Sequence, residues 1–511
     1  MFIGLFSINL FLLLTIGSTL SPSIITLIHE TNKEETNEFI TNYLINSSSI
    51  ITYCITIITI LVICYFENKY RYPNRIFKSR YGIYTILIIS FCLIERGLFH
   101  FIDFSCIFKN KDISSIEKWS FSFDPDTNLA TGAISAFYTF SKTEIEISKS
   151  IQKTISYKKE SYNHTPINIV LVIGESFNKH HSNLYDYNNN TNPYLKGLKD
   201  GGHLFVYKDV ISPFNLTSLV LKNLFSTNSI VANENWADYP AFPIIFKKSG
   251  FHVYYWDNQY SLKNTSISDF SLEAYLHNKI LSSLSYDYTN DKNYDFDYDL
   301  FVSFKKKTNK IILKNGSNLF IFHLMGQHLQ PQKRYPHNKQ FQYFTSDSIK
   351  RNNLSTYQKQ QIAFYDNATR YNDYTIYKII SYFKDTNSVL IYLSDHGEEI
   401  YDYRNNMGRT QGKIPTANVL KHQYEIPFLI WYSSTFEKKF PDKIKMIKQT
   451  INKPFMIDNT CQILFGLSNL NTKYYHSERD LLSKNFKPYK KRIVFYKFDY
   501  DSLRWSHKDN H

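Results

Sequence analysis

Side chains suited to metal binding cluster at three places in this sequence, each at the end of an apolar run. They are Glu175 and Ser176, then His323 and His328, then Asp395, His396, Glu398 and Glu399. Carboxylate oxygens and imidazole nitrogens are the ligands that zinc and related divalent ions take in proteins. If the fold brings the three groups together, they predict a metal-dependent enzyme.

The three apolar runs are the elements that must position these side chains. Their sequences are IVLVIGES (169–176), LFIFHLMGQH (319–328) and VLIYLSDHGEE (389–399). Continuous apolar runs are typical of buried parallel strands, and open α/β sheets bind ligands at the carboxyl ends of such strands. A further strand-like run, FHVYYWDNQ (251–259), and helical stretches at 217–227 and 354–385 alternate with them. The pattern predicts an α/β fold in which helices flank a mostly parallel sheet.

A hydroxyl group begins one of the predicted helices. Thr217 follows the turn at 212–215 and opens the stretch TSLVLKNLFST. The N–H groups of a first helical turn have no helical acceptor, and the helix dipole favours an anion there. Thr217 is therefore either a plain helix cap or a group that meets a phosphate.

Two further features bear on the type of chemistry. Ser176 follows a strand as a hydrolase nucleophile would, but Asn178 stands where the Gly-x-Ser-x-Gly elbow requires its last glycine, which disfavours a serine hydrolase. His422 precedes the strand-like FLIWY. Together with His323 and His328 it offers imidazoles for phosphate oxygens or for a second zinc ion.

The N-terminal region reads as a membrane anchor. Residues 1–28, 48–65 and 82–94 carry no charged side chains, and the last stretch can continue to residue 104. About 20 apolar residues span a bilayer, so we expect three transmembrane helices, the first of which could instead be a signal peptide. The loop 29–40 is acidic and the loop 66–80 is basic. The positive-inside rule then places the second loop in the cytoplasm and the chain after about residue 105 on the outer face.

Composition changes suggest three parts. Residues 1–104 form the transmembrane region, residues 105–165 a connector with an amphipathic helix, and residues 166–511 the catalytic domain. The net charge of +14 is scattered along the chain, which favours contact with anionic membrane lipids over nucleic acid. Of the five cysteines only Cys106 and Cys461 lie outside the predicted spans, so no disulfide framework is expected.

The order of the motifs resembles a known family. GES is followed by LYDYNNNTNPYL (184–195), Thr217, HLMGQH with RYP (334–336), YDNATRYND (365–373), SDHGE and HQYEIPFLIW. Over about residues 168–470 this order is similar to that of the membrane-bound phosphoethanolamine transferases of Gram-negative envelopes. These enzymes belong to the alkaline phosphatase/sulfatase superfamily, so the resemblance implies its mixed, mostly parallel sheet.

The resemblance also implies roles for individual residues. Glu175, Asp395 and His396 would bind zinc, and Thr217 would be both the fourth ligand and the nucleophile that carries a phosphoethanolamine ester. His328 and His422 would hold phosphoryl oxygens or a second zinc. The remaining substrate-binding candidates are His323, Asn258, Gln259 and Lys263. One or two zinc ions would be bound, and ligand type alone leaves Mn²⁺ open.

In this family the donor is phosphatidylethanolamine and the acceptor is lipid A, the lipopolysaccharide core or another envelope glycan. The resemblance therefore implies a multi-pass protein of the bacterial inner membrane with its catalytic domain in the periplasm. Two departures leave the acceptor open. Leu216 and Phe225 stand near the threonine where relatives often carry disulfide-bonded cysteines, and three spans are predicted where many relatives have five.

Other classes of function remain as alternatives. A hydrolase of the same superfamily could be a phosphodiesterase or a sulfatase, although the C/S-x-P-x-R signature of sulfatases is absent from the sequence. A related transferase would move glycerol phosphate. A non-enzymatic envelope protein with a decayed site would have lost part of the set Glu175, Thr217, Asp395 and His396, which is intact here. Tight zinc binding would separate the enzymes from the decayed site.

Overall fold

The computed structural model describes most of the second half of the chain and parts of the first. The described residues are 2–15, 47–69, 129–158, 165–259, 276, 278–308, 316–328, 330–410 and 414–505. The chain divides into two compact units, residues 1–144 with 410–414, and residues 145–409 with 415–511.

Helices form in the first two apolar stretches. Helix α1 is Phe2–Thr15 and helix α2 is Ser47–Lys69. Within the part of the chain that the structure describes, no helix is both long enough and apolar enough to cross a membrane. The third stretch, the acidic loop 29–40 and nearly all of the basic loop lie outside the described residues. The three spans and their orientation therefore stay a prediction.

The helix predicted in the connector extends into the second unit. Helix α3 is Leu129–Ser156, and from residue 145 onward it belongs to that unit. Ile147 and Ile151 are buried there. The carboxylate of Glu146 accepts hydrogen bonds from Asn235 Nδ2 at 3.0 Å and from Trp236 Nε1 at 2.9 Å. The C-terminal part of α3 is thus fixed to the rest of the second unit by packing and by two hydrogen bonds.

A seven-stranded sheet forms the centre of the second unit. Its strand order is β2-β8-β7-β1-β6-β4-β5. The strands are β1 Asn168–Gly174, β2 Leu204–Tyr207, β4 His252–Asp257, β5 Tyr288–Thr289, β6 Asn318–His323, β7 Ser388–Ser394 and β8 Phe428–Tyr432. Strands β7, β1, β6, β4 and β5 are parallel, while β8 and β2 are antiparallel additions at one side. The predicted α/β fold with a mostly parallel sheet is confirmed.

The remaining elements surround this sheet or form small ribbons. Strand β3 (Val210–Ile211) pairs with β9 (Phe455–Met456), and β10 (Ile493–Val494) pairs with β11 (Phe498–Asp499). The other α-helices of the described residues are α4 Pro193–Asp200, α5 Thr217–Phe225, α6 Phe242–Lys248, α7 Lys279–Ser285, α8 Asp297–Lys307, α9 Thr356–Phe383, α10 Ala417–Val419, α11 Ser434–Lys439, α12 Pro441–Gln449, α13 Thr460–Ser468 and α14 Tyr500–Trp505. Helices α5 and α9 confirm the helical stretches predicted at 217–227 and 354–385.

One face of the sheet packs on helices α8 and α9. Side chains from β1, β6 and β7 join those of the two helices in one core cluster that includes Val170, Phe320, Leu390, Phe304 and Ile379. All five are less than 2% exposed, which explains why the central strands read as continuous apolar runs. Burial on this scale gives the sheet a rigid centre from which loops can hold side chains accurately.

The register brings the strand ends together. Ile173 of β1 pairs with His323 of β6, and Gly174 pairs with Ser394 of β7. The residues that follow these pairs therefore leave the sheet at one edge, as sequence reasoning predicts.

Candidate active site

Three of the predicted metal ligands meet at this edge. The ligand atoms of Glu175, Asp395 and His396 all lie within 4.8 Å of one another. His396 Nε2 is 3.2 Å from Glu175 Oε1 and 3.1 Å from Asp395 Oδ2. All three side chains are fully buried. Their convergence follows from the pairing of β1 with β7, because Glu175 and Asp395 each come directly after a paired residue.

Thr217 joins the same cluster from helix α5. Its Oγ1 lies 3.2 Å from Glu175 Oε2 and 3.2 Å from His396 Nε2. The N-cap residue of α5 is Leu216, so Thr217 is the first helical residue and not the cap. The hydroxyl therefore stands among the free N–H groups of the first turn and beside two candidate metal ligands.

The orientation of His396 suits metal binding. Its Nδ1 lies 2.8 Å from the carbonyl oxygen of Gly397, an acceptor, and so carries a proton. On the other side Nε2 faces Glu175, Asp395 and Arg409, with Arg409 Nη1 at 2.6 Å. A backbone carbonyl that holds the Nδ1 proton and leaves Nε2 as the ligand atom is the usual support of a metal-binding histidine.

The carboxylates need a cation between them. Asp395 Oδ2 is buried and has no hydrogen-bond partner within the described part of the chain. Burial and the charge of Glu175 raise the pKa of Asp395 to about 7, because two buried negative charges repel. Two carboxylates, an imidazole nitrogen and a hydroxyl form a donor set that fits zinc and also permits manganese.

Neighbouring side chains hold Glu175 in place. Gln259 Nε2 donates to Glu175 Oε2 at 3.1 Å and to the carbonyl oxygen of Leu324 at 2.8 Å. Ser176 Oγ donates to Glu175 Oε1 at 2.7 Å, while the Ser176 N–H donates to Asp395 Oδ1 at 3.0 Å. Gln259, predicted as a substrate-binding residue, thus contacts a candidate metal ligand, and its role with substrate stays a prediction.

The two histidines of the HLMGQH motif have different surroundings. His323 Nδ1 lies 3.1 Å from Asp257 Oδ1. Counting only the described residues, His323 Nε2 and His328 Nδ1 are both buried without a hydrogen-bond partner. Burial, helped by Arg334 and Arg409, lowers the pKa of His328 to about 3. His328 is therefore neutral at physiological pH and can offer an electron pair to a cation.

Asn258 stands apart from this cluster. Asn258 Nδ2 donates to Asp297 Oδ1 at 2.9 Å, and its Oδ1 accepts from the Tyr294 N–H at 2.8 Å. Asn258 therefore joins two segments of the fold, and its binding of substrate stays a prediction. Lys263 lies outside the described residues.

His422 lies beside a partly buried carboxylate that the sequence did not single out. His422 Nδ1 is 3.3 Å from Asp402 Oδ2 and 3.2 Å from Asn178 Nδ2. Its ring is flanked by those of Tyr403 and His180, at centroid distances of 5.6 and 5.4 Å. Nδ1 is thus directed into the protein, which leaves Nε2 as the nitrogen open to a ligand.

A second histidine links Asp402 to helix α9. His181 Nδ1 lies 3.0 Å from Asp366 Oδ1, and His181 Nε2 lies 3.1 Å from Asp402 Oδ1. Burial alone would lower the pKa of His181, but the two carboxylates raise it to about 10. His181 is therefore an imidazolium that bridges two carboxylates, since each ring nitrogen needs a proton to donate.

The charge of His181 makes the stability of the protein depend on pH. The pKa of His181 in the folded state is about 10, above the ordinary value of 6.5 for a histidine, so this contribution is complete below about pH 6.5 and is lost as the pH rises towards 10. We expect the free energy of unfolding to fall by up to about 1.4 kcal/mol per pH unit in that window. Thermal unfolding at pH 6.5 and 9.5 measures this. His181→Asn should remove most of the slope, whereas the same change at the exposed His252 should keep it.

Gly326 permits the close approach of the HLMGQH loop to Glu175. Its φ is +52°, and an added Cβ would lie 2.7 Å from both the backbone nitrogen and the carbonyl oxygen of Glu175. We expect Gly326→Ala to lower stability by about 1–3 kcal/mol and to weaken metal binding, because Glu175 must shift. Gly197→Ala is the matched control, since open space surrounds that position in α4. Equal zinc affinity in both variants would contradict this account.

Sequence reasoning missed several residues of this region. Asp402, His181 and Arg409 carried no motif, and they reach the site only through long-range packing. Asp366 lies inside YDNATRYND, a motif whose members sequence reasoning left without individual roles. Tyr365 of the same motif donates to the Ser176 carbonyl oxygen at 2.5 Å, and Asp373 accepts from the Tyr194 and Leu195 N–H groups. The motif thus anchors the loops that carry the site.

Comparison with known proteins agrees with this architecture. The family model described as Sulfatase matches residues 167–464. Phosphoethanolamine transferase EptC of Escherichia coli K12 is 25% identical over 518 residues, which cover 95% of this chain and 82% of that protein. The resemblance to phosphoethanolamine transferases that the motifs indicate is thereby confirmed.

Two solved structures are similar in fold. The C-terminal periplasmic domain of EptC from Escherichia coli, in complex with Zn, has a TM-score of 0.57 at 26% identity and covers 69% of this chain and 97% of its own. The integral membrane lipooligosaccharide phosphoethanolamine transferase A from Neisseria meningitidis has a TM-score of 0.62 at 18% identity, covering 94% of this chain and 85% of its own. The second likeness concerns the fold alone.

Proposed function

This chain belongs to the sulfatase family, and we propose that it is a zinc-dependent phosphoethanolamine transferase. It moves phosphoethanolamine from phosphatidylethanolamine to lipid A, the lipopolysaccharide core or another envelope glycan. The observation that carries the proposal is the hydroxyl of Thr217, which lies at a helix N-terminus within 3.2 Å of both Glu175 and His396. An enzyme that hydrolyses sulfate esters would carry the Cys or Ser of the C/S-x-P-x-R signature at this position, and that signature is absent from the sequence.

The residues present fit the expected ion. Glu175, Thr217, Asp395 and His396 would hold one zinc, and the neutral His328 with His422 would take phosphoryl oxygens or a second ion. When bound, zinc would lower the pKa of the Thr217 hydroxyl and offset the negative charge of the phosphodiester. Arg409 adds a fixed positive charge next to His396.

The reaction divides into two displacements at phosphorus. In the first, Thr217 Oγ1 forms a bond to phosphorus, the bond from phosphorus to the diacylglycerol oxygen breaks, and the threonine proton ends on that oxygen. In the second, an acceptor oxygen attacks the same phosphorus, and Thr217 leaves and regains a proton. The first turn of α5 directs its free N–H groups towards the charge that develops. Using one nucleophile twice lets a lipid donor and a glycan acceptor occupy the site in turn.

The same proposal places the protein at a membrane. The uncharged stretches at residues 1–28, 48–65 and 82–94 would anchor it in the bacterial inner membrane with the catalytic unit in the periplasm. The net charge of +14 suits a domain that works against anionic lipid headgroups. A lipid donor and a lipid-linked acceptor both require such a position.

The test uses the full-length protein in vesicles that contain phosphatidylethanolamine and zinc, with or without lipid A. We expect diacylglycerol to be released and lipid A to gain one phosphoethanolamine group. Vesicles with phosphatidylglycerol as the only donor test the glycerol-phosphate alternative. Free phosphoethanolamine released at the same rate without acceptor would instead indicate a hydrolase. The absence of both zinc and turnover would indicate a decayed site.

A further inference from the structure

A second group of buried or partly buried ionisable side chains lies next to the candidate metal ligands and ends on His422. Three ligand atoms, one each from Glu399, Asp402 and His422, lie within 4.8 Å of one another. Glu399 Oε2 is buried and has no hydrogen-bond partner among the residues that the structure describes. By composition the group resembles another metal site, so the existing hydrogen bonds must decide between a metal site and a hydrogen-bonded chain.

The oxygens of Asp402 are already occupied by donors. Oδ1 receives the proton of His181 Nε2 at 3.1 Å and lies 3.4 Å from Arg351 Nη1. Oδ2 accepts from Asn178 Nδ2 at 3.2 Å and lies 3.3 Å from His422 Nδ1. These donors include two positive charges, which would repel a metal ion at the same carboxylate.

Glu399 is also a poor metal ligand here. Its Oε1 accepts the Asp402 N–H at 2.6 Å and the Tyr403 N–H at 3.2 Å. Burial and the neighbouring charge of Asp402 raise the pKa of Glu399 to about 8. Glu399 is therefore largely protonated at neutral pH and braces the loop that carries Asp402.

The hydrogen bonds of Asn178 indicate which ring nitrogen of His422 carries a proton. Asn178 Nδ2 has two hydrogens, and two oxygens accept them, Glu398 O at 3.0 Å and Asp402 Oδ2 at 3.2 Å. Asn178 Nδ2 lies 3.2 Å from both Asp402 Oδ2 and His422 Nδ1, and the charged carboxylate is the stronger acceptor for its second hydrogen. With that hydrogen on Asp402, Nδ1 is left to direct its own proton to Asp402 Oδ2 at 3.3 Å, and this tautomer has its electron pair at Nε2.

We propose that Asp402, held by His181, whose other ring nitrogen contacts Asp366, is a positioning residue that fixes His422 as its Nδ1–H tautomer. His422 Nε2 then meets the substrate site as an electron-pair donor, for a cation or for the proton of an acceptor hydroxyl. It does not serve as a hydrogen-bond donor to a phosphoryl oxygen. The role in catalysis rests on the proposed function, whereas the tautomer does not.

The first test measures the tautomer without any need for activity. Full-length protein labelled with ¹⁵N-histidine is compared with His422→Ala to assign the ring signals of His422. We expect Nδ1 to be protonated in the wild type. In Asp402→Asn the amide oxygen should face the charged donors His181 and Arg351, so that the amide N–H turns to His422 and shifts the proton to Nε2. An Nε2–H tautomer in the wild type, or an unchanged tautomer in Asp402→Asn, would overturn the proposal.

The second test measures the rate of phosphoethanolamine transfer to lipid A. Asp402→Asn should lower kcat by at least about 100-fold with little change in KM or in the unfolding midpoint. In the His422→Ala background the same change should have no further effect, because Asp402 acts through His422. Additive losses, or a loss of kcat that tracks the unfolding midpoint, would mean a structural role and reject the proposal.

Glu399→Gln supplies the matched control in the same loop. Because Gln keeps the acceptor oxygen for the Asp402 and Tyr403 N–H groups, we expect the zinc content and the tautomer of His422 to stay unchanged. Loss of a bound zinc in Glu399→Gln would show that the group is a metal site after all. A wild type with the Nδ1–H tautomer but no transferase activity would count against the proposed function alone.

Discussion

Replacement of Thr217 by alanine is expected to abolish transfer while the fold and the metal remain. Removal of a covalent nucleophile lowers kcat by at least about 1,000-fold in enzymes that form such intermediates. Alanine is a good helix former and Thr217 is not the cap of α5, so the helix should persist. Intact mass after incubation with phosphatidylethanolamine and zinc provides the measurement. Wild type should gain one phosphoethanolamine group, and Thr217→Ala should gain none.

Thr217→Ser is the matched variant, because it keeps the hydroxyl and removes only a methyl group. It should form the adduct and retain measurable transfer. An adduct of equal yield on Thr217→Ala would locate the nucleophile elsewhere, and the neighbouring Ser218 would be the first position to examine by peptide mapping.

Replacement of Asp395 by asparagine is expected to change the thermal stability in opposite directions with and without zinc. Burial and the charge of Glu175 raise the pKa of Asp395 to about 7 in the folded protein, above the ordinary value of 3.8 for an aspartate. Ionisation of Asp395 therefore lowers the free energy of unfolding progressively as the pH rises from about 4 to 7. At pH 8 and without metal, Asp395→Asn should therefore be more stable than wild type, on the order of 1–3 kcal/mol. With zinc at 100 times its Kd the wild type should gain about 2.7 kcal/mol, and the variant should gain almost nothing.

Asp458→Asn controls for the loss of a buried carboxylate outside the site. Burial raises the pKa of Asp458 to about 7 as well, but this side chain accepts from the Ile230 N–H. Zinc should stabilise Asp458→Asn as much as it stabilises wild type. If zinc raised the unfolding temperature of Asp395→Asn equally, Asp395 would not be a ligand.

The parts of the fold that sequence reasoning predicted are those with short-range signals. Strands β1, β6 and β7 have continuous apolar centres because both of their faces are buried, and the candidate ligands come at or just after their last residues. Because parallel strands end at one edge of a sheet, the convergence of Glu175 with Asp395 could be predicted from the sequence. Helix α9 begins at a capping box formed by Ser355 and Gln358, which is also a local signal.

The parts that sequence reasoning could not predict depend on contacts across the fold. His181 becomes an imidazolium only because Asp366 and Asp402, about 185 and 221 positions away, lie on its two sides. Gln259 turns towards Glu175 because β4 lies on the far side of β6 from β1, so that three strand ends share one edge. No local sequence pattern predicts these contacts. Because the charge state of a buried group depends on such contacts, it could not be predicted from the sequence either.

The placement of β7 between β1 and β8 has a consequence for biosynthesis. This central strand lies at residues 388–394, and two of the metal ligands follow it. A nascent chain that has emerged only as far as helix α9 holds Glu175 and Thr217 but lacks Asp395 and His396. The full set of candidate ligands can therefore come together only after nearly all of the second unit is available to fold.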